Sequence, residues 1–135
     1  MQNISPLIAR VFLGQLFLLA GLSKLGAYAA TQGYMDAMGV PGQLLPLVIG
    51  LEIVGGLAVI IGWQARRAAF TLAGFSLISA VIFHHDFADQ IQMIMFMKNV
   101  AIAGGFLMIF GQGAGAFSID NRKKTANTQP TVSIV

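Results

Sequence analysis

The sequence predicts an all-α, polytopic membrane protein: a bundle of four transmembrane helices with both termini in the cytoplasm. Of its 135 residues, 56% are hydrophobic and only 10% are charged, whereas soluble domains contain roughly 45–50% and about 25%. The apolar residues gather in four segments close to the 20 or so residues that cross a hydrocarbon core of about 30 Å. We expect one transmembrane domain over residues 1–120 and a disordered, polar cytoplasmic tail over residues 121–135.

The helix boundaries are marked by residues that favour helix starts. Ser5 can cap the first span, and Pro6 suits a first helical turn, where a missing backbone N–H costs nothing. Pro46 has the same place in the second span. In chain order, the four predicted spans are residues 7–27, 44–62, 68–84 and 91–110.

Orientation follows from the basic residues outside the spans, because cytoplasmic loops carry an excess of lysine and arginine. Five of them fall on one side of the predicted bundle and need only this topological role: Arg66, Arg67, Arg122, Lys123 and Lys124. The loops of the opposite side contain aspartates instead. The net charge of +3 therefore encodes orientation, and no nucleic-acid partner is expected.

A competing interpretation treats the first span as a cleaved signal peptide, since residues 27–29 have the small-x-small form of a cleavage site. Arg10 alone makes a thin basic region, and an even number of spans agrees better with the charge pattern. We therefore prefer four spans, and an intact mass lacking the first 27 to 29 residues would contradict that preference.

Four ionisable residues fall within or near the spans, where such residues commonly serve function. Arg10 lies near a cytoplasmic end and is expected to snorkel to the interface. Lys24 either snorkels or turns inward. Glu52 and Lys98 lie at similar depths from the outer ends of their spans, which predicts an ion pair between them in the outer half of the bundle.

Small residues share helix faces with these charges, and membrane helices approach one another most closely at small residues. The predicted packing positions are Gly21 beside Lys24, Gly55 and Gly56 beside Glu52, and Ala101 and Gly105 beside Lys98. The charges are therefore predicted to point into the bundle.

A polar pocket that opens outward is the functional interpretation of this cluster. Glu52 and His84 are candidate proton-transfer residues, because carboxyl and imidazole groups exchange protons readily. Lys24, Lys98 and Asn99 are candidate ligand-binding residues. Two interfacial histidines, His84 and His85, are the simpler alternative. The connection over residues 28–43 would cover the pocket.

No metal site is predicted. Adjacent helical residues diverge by about 100°, so the two histidines cannot easily share one ion. The chain has no cysteine, which excludes thiolate ligands and disulfides.

The chain also resembles the DoxX family of bacterial inner-membrane proteins. The resemblance rests on the order and spacing of several segments: ARVFLGQLFLLAGLSKL, YMDAMGVPG, LEIVGGLAVIIGW, FHHDF, FMKNVAIAGGFL and GQGAGAFSID. It extends over nearly the whole chain, from residue 9 to residue 120. It implies a four-helix bundle in the cytoplasmic membrane, which the spans predict independently.

Relatives in that family are linked to quinone-coupled oxidation, as in the small subunit of thiosulfate:quinone oxidoreductase. The resemblance therefore implies an accessory subunit of a quinone-linked membrane oxidoreductase, with quinone as a borrowed cofactor, since the chain has no flavin or nucleotide motif of its own. Its partners would be the lipid bilayer and either oxidoreductase subunits or further copies of itself. The alternatives are a non-enzymatic ligand-binding or transport protein, and a structural assembly partner whose buried charges set helix register.

Overall fold

A computed structural model describes residues 3–122 and shows an all-helical chain over that range. Its elements are α1 (Ser5–Gly26), α2 (Tyr28–Ala37), a 3-10 turn (Gly42–Leu44), α3 (Leu45–Ile61), α4 (Ala65–Phe83) and α5 (Gln90–Gln112). Four helices are long and apolar enough to cross a membrane: α1, α3 with its preceding turn, α4 and α5. The predicted four-span bundle is confirmed. The cytoplasmic location of the termini remains a prediction, and residues 123–135 of the predicted tail lie outside the described range.

The spans differ from the predicted ones by a few residues at their ends. The largest difference is at α4, which begins at Ala65 and not at residue 68. Its first turn is stabilised from far along the chain, because the Asp120 carboxylate accepts hydrogen bonds from the backbone N–H groups of Gln64 at 2.7 Å and Ala65 at 2.8 Å. This contact joins residues more than 50 positions apart and has no local sequence signature.

The predicted connection over residues 28–43 contains a helix, α2. Ten residues span about 15 Å, which is too short to cross the membrane. Met35 holds α2 in place by packing, almost fully buried, against Leu45 and Ile49. Asp36 accepts a hydrogen bond from the backbone N–H of Gly42 at 2.7 Å. Tertiary contacts therefore order a segment that has no strong helical pattern.

The bundle consists of two closely packed pairs, α1 with α3 and α4 with α5. In the first pair, a Cβ atom placed on Gly14 would lie 2.7 Å from the Gly56 carbonyl oxygen, and one placed on Gly56 would lie 2.7 Å from the Gly14 carbonyl oxygen. Such contacts leave no room for any side chain. Gly56 was among the predicted packing positions, but Gly14 was not.

The other predicted packing positions have separate contacts. Gly21 lies against Ile53 and Glu52, Gly55 against Leu72, and Gly105 against Leu13. Ala101 is exposed, because α5 enters the core through its face bearing Ala103 and Phe106. The two pairs meet at Phe17, whose ring makes edge contacts with Phe75 at 6.2 Å and Phe106 at 5.4 Å.

The end of the bundle that holds the α3–α4 turn is tied together by residues 113–122, which we call the C-terminal strap. Arg10 reaches this strap and is fully buried, so the prediction that it snorkels is wrong. Its guanidinium donates hydrogen bonds to the carbonyl oxygens of Ile60 at 3.0 Å, Val59 at 3.3 Å and Phe117. The last carbonyl groups of a helix lack hydrogen-bond partners within the helix. The end of α3 therefore provides acceptors for the Arg10 guanidinium, which does not need to reach the lipid headgroups to find them.

Gly62 completes this end, which we call the stapled end. It has the left-handed backbone conformation that ends α3 (φ 74°), and a Cβ atom there would collide with Ser118 and with Nη1 of Arg10. Its carbonyl oxygen accepts a hydrogen bond from the backbone N–H of Asp120 at 2.9 Å. Arg66 adds a further contact by donating to the carbonyl oxygens of Phe110 and Gly111 at the end of α5. The topological arginine therefore also has a structural role.

Candidate functional site

A cavity of about 560 Å³ lies at the opposite end of the bundle, between the two helix pairs and beneath α2. We call it the intramembrane cavity. Most of its wall is apolar, with side chains from all four spans and from α2. Nine polar residues also line it: Lys24, Thr31, Tyr34, Glu52, Ser76, Ser79, His84, Lys98 and Asn99. The five candidate catalytic and ligand-binding residues that the sequence singles out are all among them.

Glu52 is buried and paired with Lys24. The Nζ atom of Lys24 donates to both carboxylate oxygens, at 2.7 and 2.9 Å, and Glu52 is only 2% exposed. The predicted ion pair had Lys98 as the partner, and this assignment is wrong. The reason lies in helix packing: α1 approaches α3 at Gly21, three residues before Lys24, so Lys24 reaches the carboxylate, whereas α5 packs chiefly on α4.

Lys98 and Asn99 line the same cavity from α5. Within residues 3–122, Lys98 makes no hydrogen bond or ion pair, although it lies in the middle part of a membrane-spanning helix. Ionisable side chains at such depths normally have a partner. Lys98 is therefore a cation at the cavity wall without a counter-ion from the described chain.

Ser76 is a cavity residue that the sequence reasoning missed. It is 2% exposed, and its Oγ atom has no hydrogen-bond partner, although the large majority of buried polar side-chain atoms have one. A single serine in a transmembrane segment is a weak signal, because its hydroxyl commonly bonds the carbonyl one turn earlier. Only the packing of α4 distinguishes Ser76.

The two histidines differ in position. His84 lines the cavity, whereas His85 is exposed and its Nδ1 lies 3.0 Å from the carbonyl oxygen of Ile82. Burial lowers the pKa of His84 below its ordinary value, so the imidazole is neutral at pH 7. A neutral imidazole has one nitrogen that accepts a proton. The inward position expected for one of the two histidines belongs to His84.

Helix α2 covers the intramembrane cavity. Thr31, Tyr34 and Met35 line the cavity from this helix. The ring of Tyr34 stacks on Phe83 at the end of α4, with 5.4 Å between the ring centres. The cover expected over residues 28–43 is therefore present as a short helix.

A second hollow, also of about 560 Å³, lies at the stapled end beside the C-terminal strap. Its main polar side chains are already engaged, Arg66 with backbone carbonyls and Asp120 with backbone N–H groups. The intramembrane cavity is the better candidate site, because it lies between membrane-spanning helices and is lined by Ser76, whose buried hydroxyl has no hydrogen-bond partner. In the described part of the chain, no three His, Cys, Asp or Glu residues are grouped so that they could hold a metal ion.

Comparison with known proteins gives one family. The sequence model of the DoxX family matches residues 5–85. Inner membrane protein YqjF of Escherichia coli is 49% identical over 120 residues, covering 89% of this chain and 92% of the relative. Inner membrane protein YphA of the same organism is 34% identical over 123 residues, covering 86% and 88%.

A Bacillus subtilis protein named "Putative oxidoreductase CatD" is 32% identical over 80 residues, which is 59% of each chain. No solved structure matches this sequence.

Proposed function

We propose, from the premise that this chain belongs to the DoxX family, that it is a redox-associated subunit whose intramembrane cavity binds a quinone-like small molecule. It is a multi-pass protein of the bacterial inner membrane, in agreement with two E. coli relatives that are named inner membrane proteins. The name of the B. subtilis relative refers to an oxidoreductase, which supports the redox part of the proposal.

The cavity is the observation that carries the proposal. Small-molecule sites commonly enclose about 300–1,000 Å³ and combine apolar walls with a few well-placed polar groups. A quinone has an apolar ring and tail and two carbonyl oxygens that accept hydrogen bonds. Lys98, Asn99 and Ser76 supply donors at a wall that is otherwise largely apolar, which suits such a molecule.

Proton transfer would fall to His84 and Glu52. Reducing a quinone to a quinol adds two electrons and two protons, and the electrons would come from a partner oxidoreductase subunit. His84 is neutral at pH 7 because burial lowers its pKa, so it can take up a proton from the α2 side and pass it to a ring oxygen. Lys24 holds the Glu52 carboxylate in place for the same task. Because the basic stapled end is predicted to be cytoplasmic, the cavity would open outward.

The test is to purify the protein into lipid nanodiscs and identify the small molecules that remain bound by mass spectrometry. We expect a quinone at near-stoichiometric amount and saturable binding of an added short-chain quinone. His84→Gln should weaken that binding, and His85→Gln is the matched control, because His85 does not line the cavity. A protein that retains no quinone and shows no saturable quinone binding would refute the proposal.

The second candidate function is that of an assembly partner, and the Lys24–Glu52 pair favours it. This pair joins α1 to α3 at the point where Gly21 allows the two helices to touch, so it could serve only to fix their register. The double exchange Lys24→Glu with Glu52→Lys retains the pair and moves the carboxylate to α1. Unchanged quinone binding and unchanged activity of the membrane complex would favour the structural role.

A further inference from the structure

The charges at the intramembrane cavity do not balance. Two ammonium groups, of Lys24 and Lys98, face one carboxylate, that of Glu52, and His84 is neutral at pH 7. Lys24 occupies both oxygens of that carboxylate. One positive charge at the cavity therefore has no counter-charge among residues 3–122.

Lys98 carries this charge at membrane depth. It is the ninth residue of α5, which begins at Gln90, and so lies about 12 Å along the helix axis from that end. A charged side chain near the bilayer centre costs about 2.5–3.5 kcal/mol on an insertion scale. A bound anion would reduce that cost, because a neighbouring opposite charge favours the charged form.

Ser76 is a second, independent indication. Its unpartnered Oγ belongs to a residue that is 98% buried and that lines the same cavity from α4. Removing a hydroxyl from water without giving it a hydrogen bond is unfavourable by about 1–3 kcal/mol. The cavity therefore has both an unpaired cation and an unpaired hydroxyl donor, on two different helices.

We propose that the ligand of this cavity is an amphiphile with a single acidic head group, either a carboxylate or an ionised ring hydroxyl, which pairs with Lys98 and accepts a hydrogen bond from Ser76. The apolar body of the ligand lies against the side chains of Phe75, Met95 and Ile102, which also line the cavity. This inference rests on the proposed function in treating the cavity as a ligand site, and it specifies the charge of the ligand.

The experiment compares acidic probes with uncharged partners of the same shape. In phosphatidylcholine nanodiscs at pH 8, dissociation constants are measured for an alkylated 2-hydroxy-1,4-naphthoquinone and its 2-methoxy ether, and for lauric acid and 1-dodecanol. We expect at least one of the two acids to bind at least tenfold more tightly than its uncharged partner. The measured quantity is the ratio of the dissociation constant of the uncharged partner to that of the acid. Lys98→Met should bring this ratio close to one, Lys98→Arg should restore it, and Ser76→Ala should reduce it several-fold.

Arg122→Gln is the control, because it removes a positive charge from the stapled end and should leave the ratio unchanged. If Lys98→Met does not fold, the wild-type ratio and the other two variants still decide the question. The inference is overturned if wild-type protein binds neither acid more tightly than its uncharged partner, or if Lys98→Met retains the full preference.

The outcomes also separate this inference from the proposed function. Saturable binding of the neutral ether without acid preference would overturn the inference and leave quinone binding intact. Tight binding of lauric acid without binding of either naphthoquinone would refute quinone binding and identify a long-chain carboxylate as the ligand. Preference for the hydroxynaphthoquinone alone would support both and identify the ring hydroxyl as the acidic group.

Discussion

The two ends of the bundle use their polar side chains in different ways. At the stapled end, Arg10 uses both terminal nitrogens to hold backbone carbonyls of α3 and the C-terminal strap, while its Nε atom has no partner. Asp120 uses both oxygens to hold the start of α4. At the cavity end, the exposed Lys98 and the buried Ser76 have no hydrogen-bond partner from residues 3–122.

We interpret this difference as one between residues that hold the fold together and a candidate ligand site. Both ends have basic residues on membrane-spanning helices, so the residue type alone does not distinguish them. A cation whose terminal nitrogens bind backbone carbonyls stabilises the fold, whereas a cation without partners at a cavity is available to a ligand. We therefore expect substitutions at the stapled end to change stability and substitutions at the cavity end to change binding.

The largest expected effect is that of Arg10→Met. It removes three charge-assisted hydrogen bonds and leaves buried carbonyl groups without donors, so we expect the free energy of unfolding to fall by about 3 kcal/mol. The measurement is thermal or denaturant unfolding in detergent. Arg67→Met is the control, because Arg67 is exposed, and it should change little. A large loss of ligand affinity in folded Arg10→Met protein would contradict the separation of the two ends.

Gly56→Ala tests the contact between α1 and α3, which extends from the stapled end toward the cavity. The added methyl group would lie 2.7 Å from a backbone oxygen, and overpacking of this kind costs about 1–3 kcal/mol. Gly104→Ala is the matched control: a Cβ atom there meets nothing within 4 Å, and alanine favours a helix by about 1 kcal/mol. Equal unfolding free energies for the two variants would show that the helices do not touch at Gly56.

The assignment of the ion pair can be tested with a double-mutant cycle. We expect Lys24→Met and Glu52→Gln to show a coupling energy of about 0.5–3 kcal/mol, as contacting charged residues do. The same cycle with Lys98→Met in place of Lys24→Met should give coupling below about 0.5 kcal/mol. Stronger coupling to Lys98 would restore the pair that the sequence predicts.

Asp120→Ala should have a smaller effect on stability. Replacing a carboxylate that caps a helix start costs about 0.5–2 kcal/mol. Asp89→Ala is the comparison at the cavity end, since Asp89 caps α5 by accepting from the N–H of Ile91 at 3.0 Å. Both variants should lose stability to a similar extent. Asp120→Ala should in addition expose the C-terminal strap to proteolysis, and full protease resistance would argue against the strap as a staple.

The smallest expected effect concerns pH. The pKa of His84 is lowered in the folded protein, so below the ordinary histidine pKa of about 6.5 the unfolded chain takes up a proton that the folded chain does not. Stability is therefore retained above about pH 6.5 and falls below it. The melting temperature of wild-type protein should drop more between pH 7.5 and pH 5.5 than that of His84→Gln. Identical drops in the two proteins would show that the pKa of His84 is not lowered in the folded protein.

The sequence by itself determined the four spans and the residues that stand out within them. Runs of about 20 apolar residues have few structural alternatives, because lipid offers backbone groups no partners and forces them into helices. Lys24, Glu52 and Lys98 stand out in the sequence because each is a charged residue in an apolar span. All three line the intramembrane cavity. The order and spacing of several segments also indicated the family, which the match over residues 5–85 confirms.

Only the tertiary structure decided which groups meet. Arg10 finds its carbonyl partners about 50 and 107 positions away, and Glu52 takes Lys24 because Gly21 brings α1 close to α3. Helix α2 is ordered by Met35 and Asp36, whose partners lie in other elements. Residue spacing within one helix reports which face a side chain lies on, but the partner depends on how neighbouring helices rotate and approach. The sequence identifies Lys98 as an unusual residue in a membrane span. Its place at the cavity without a counter-charge depends on how the helices pack.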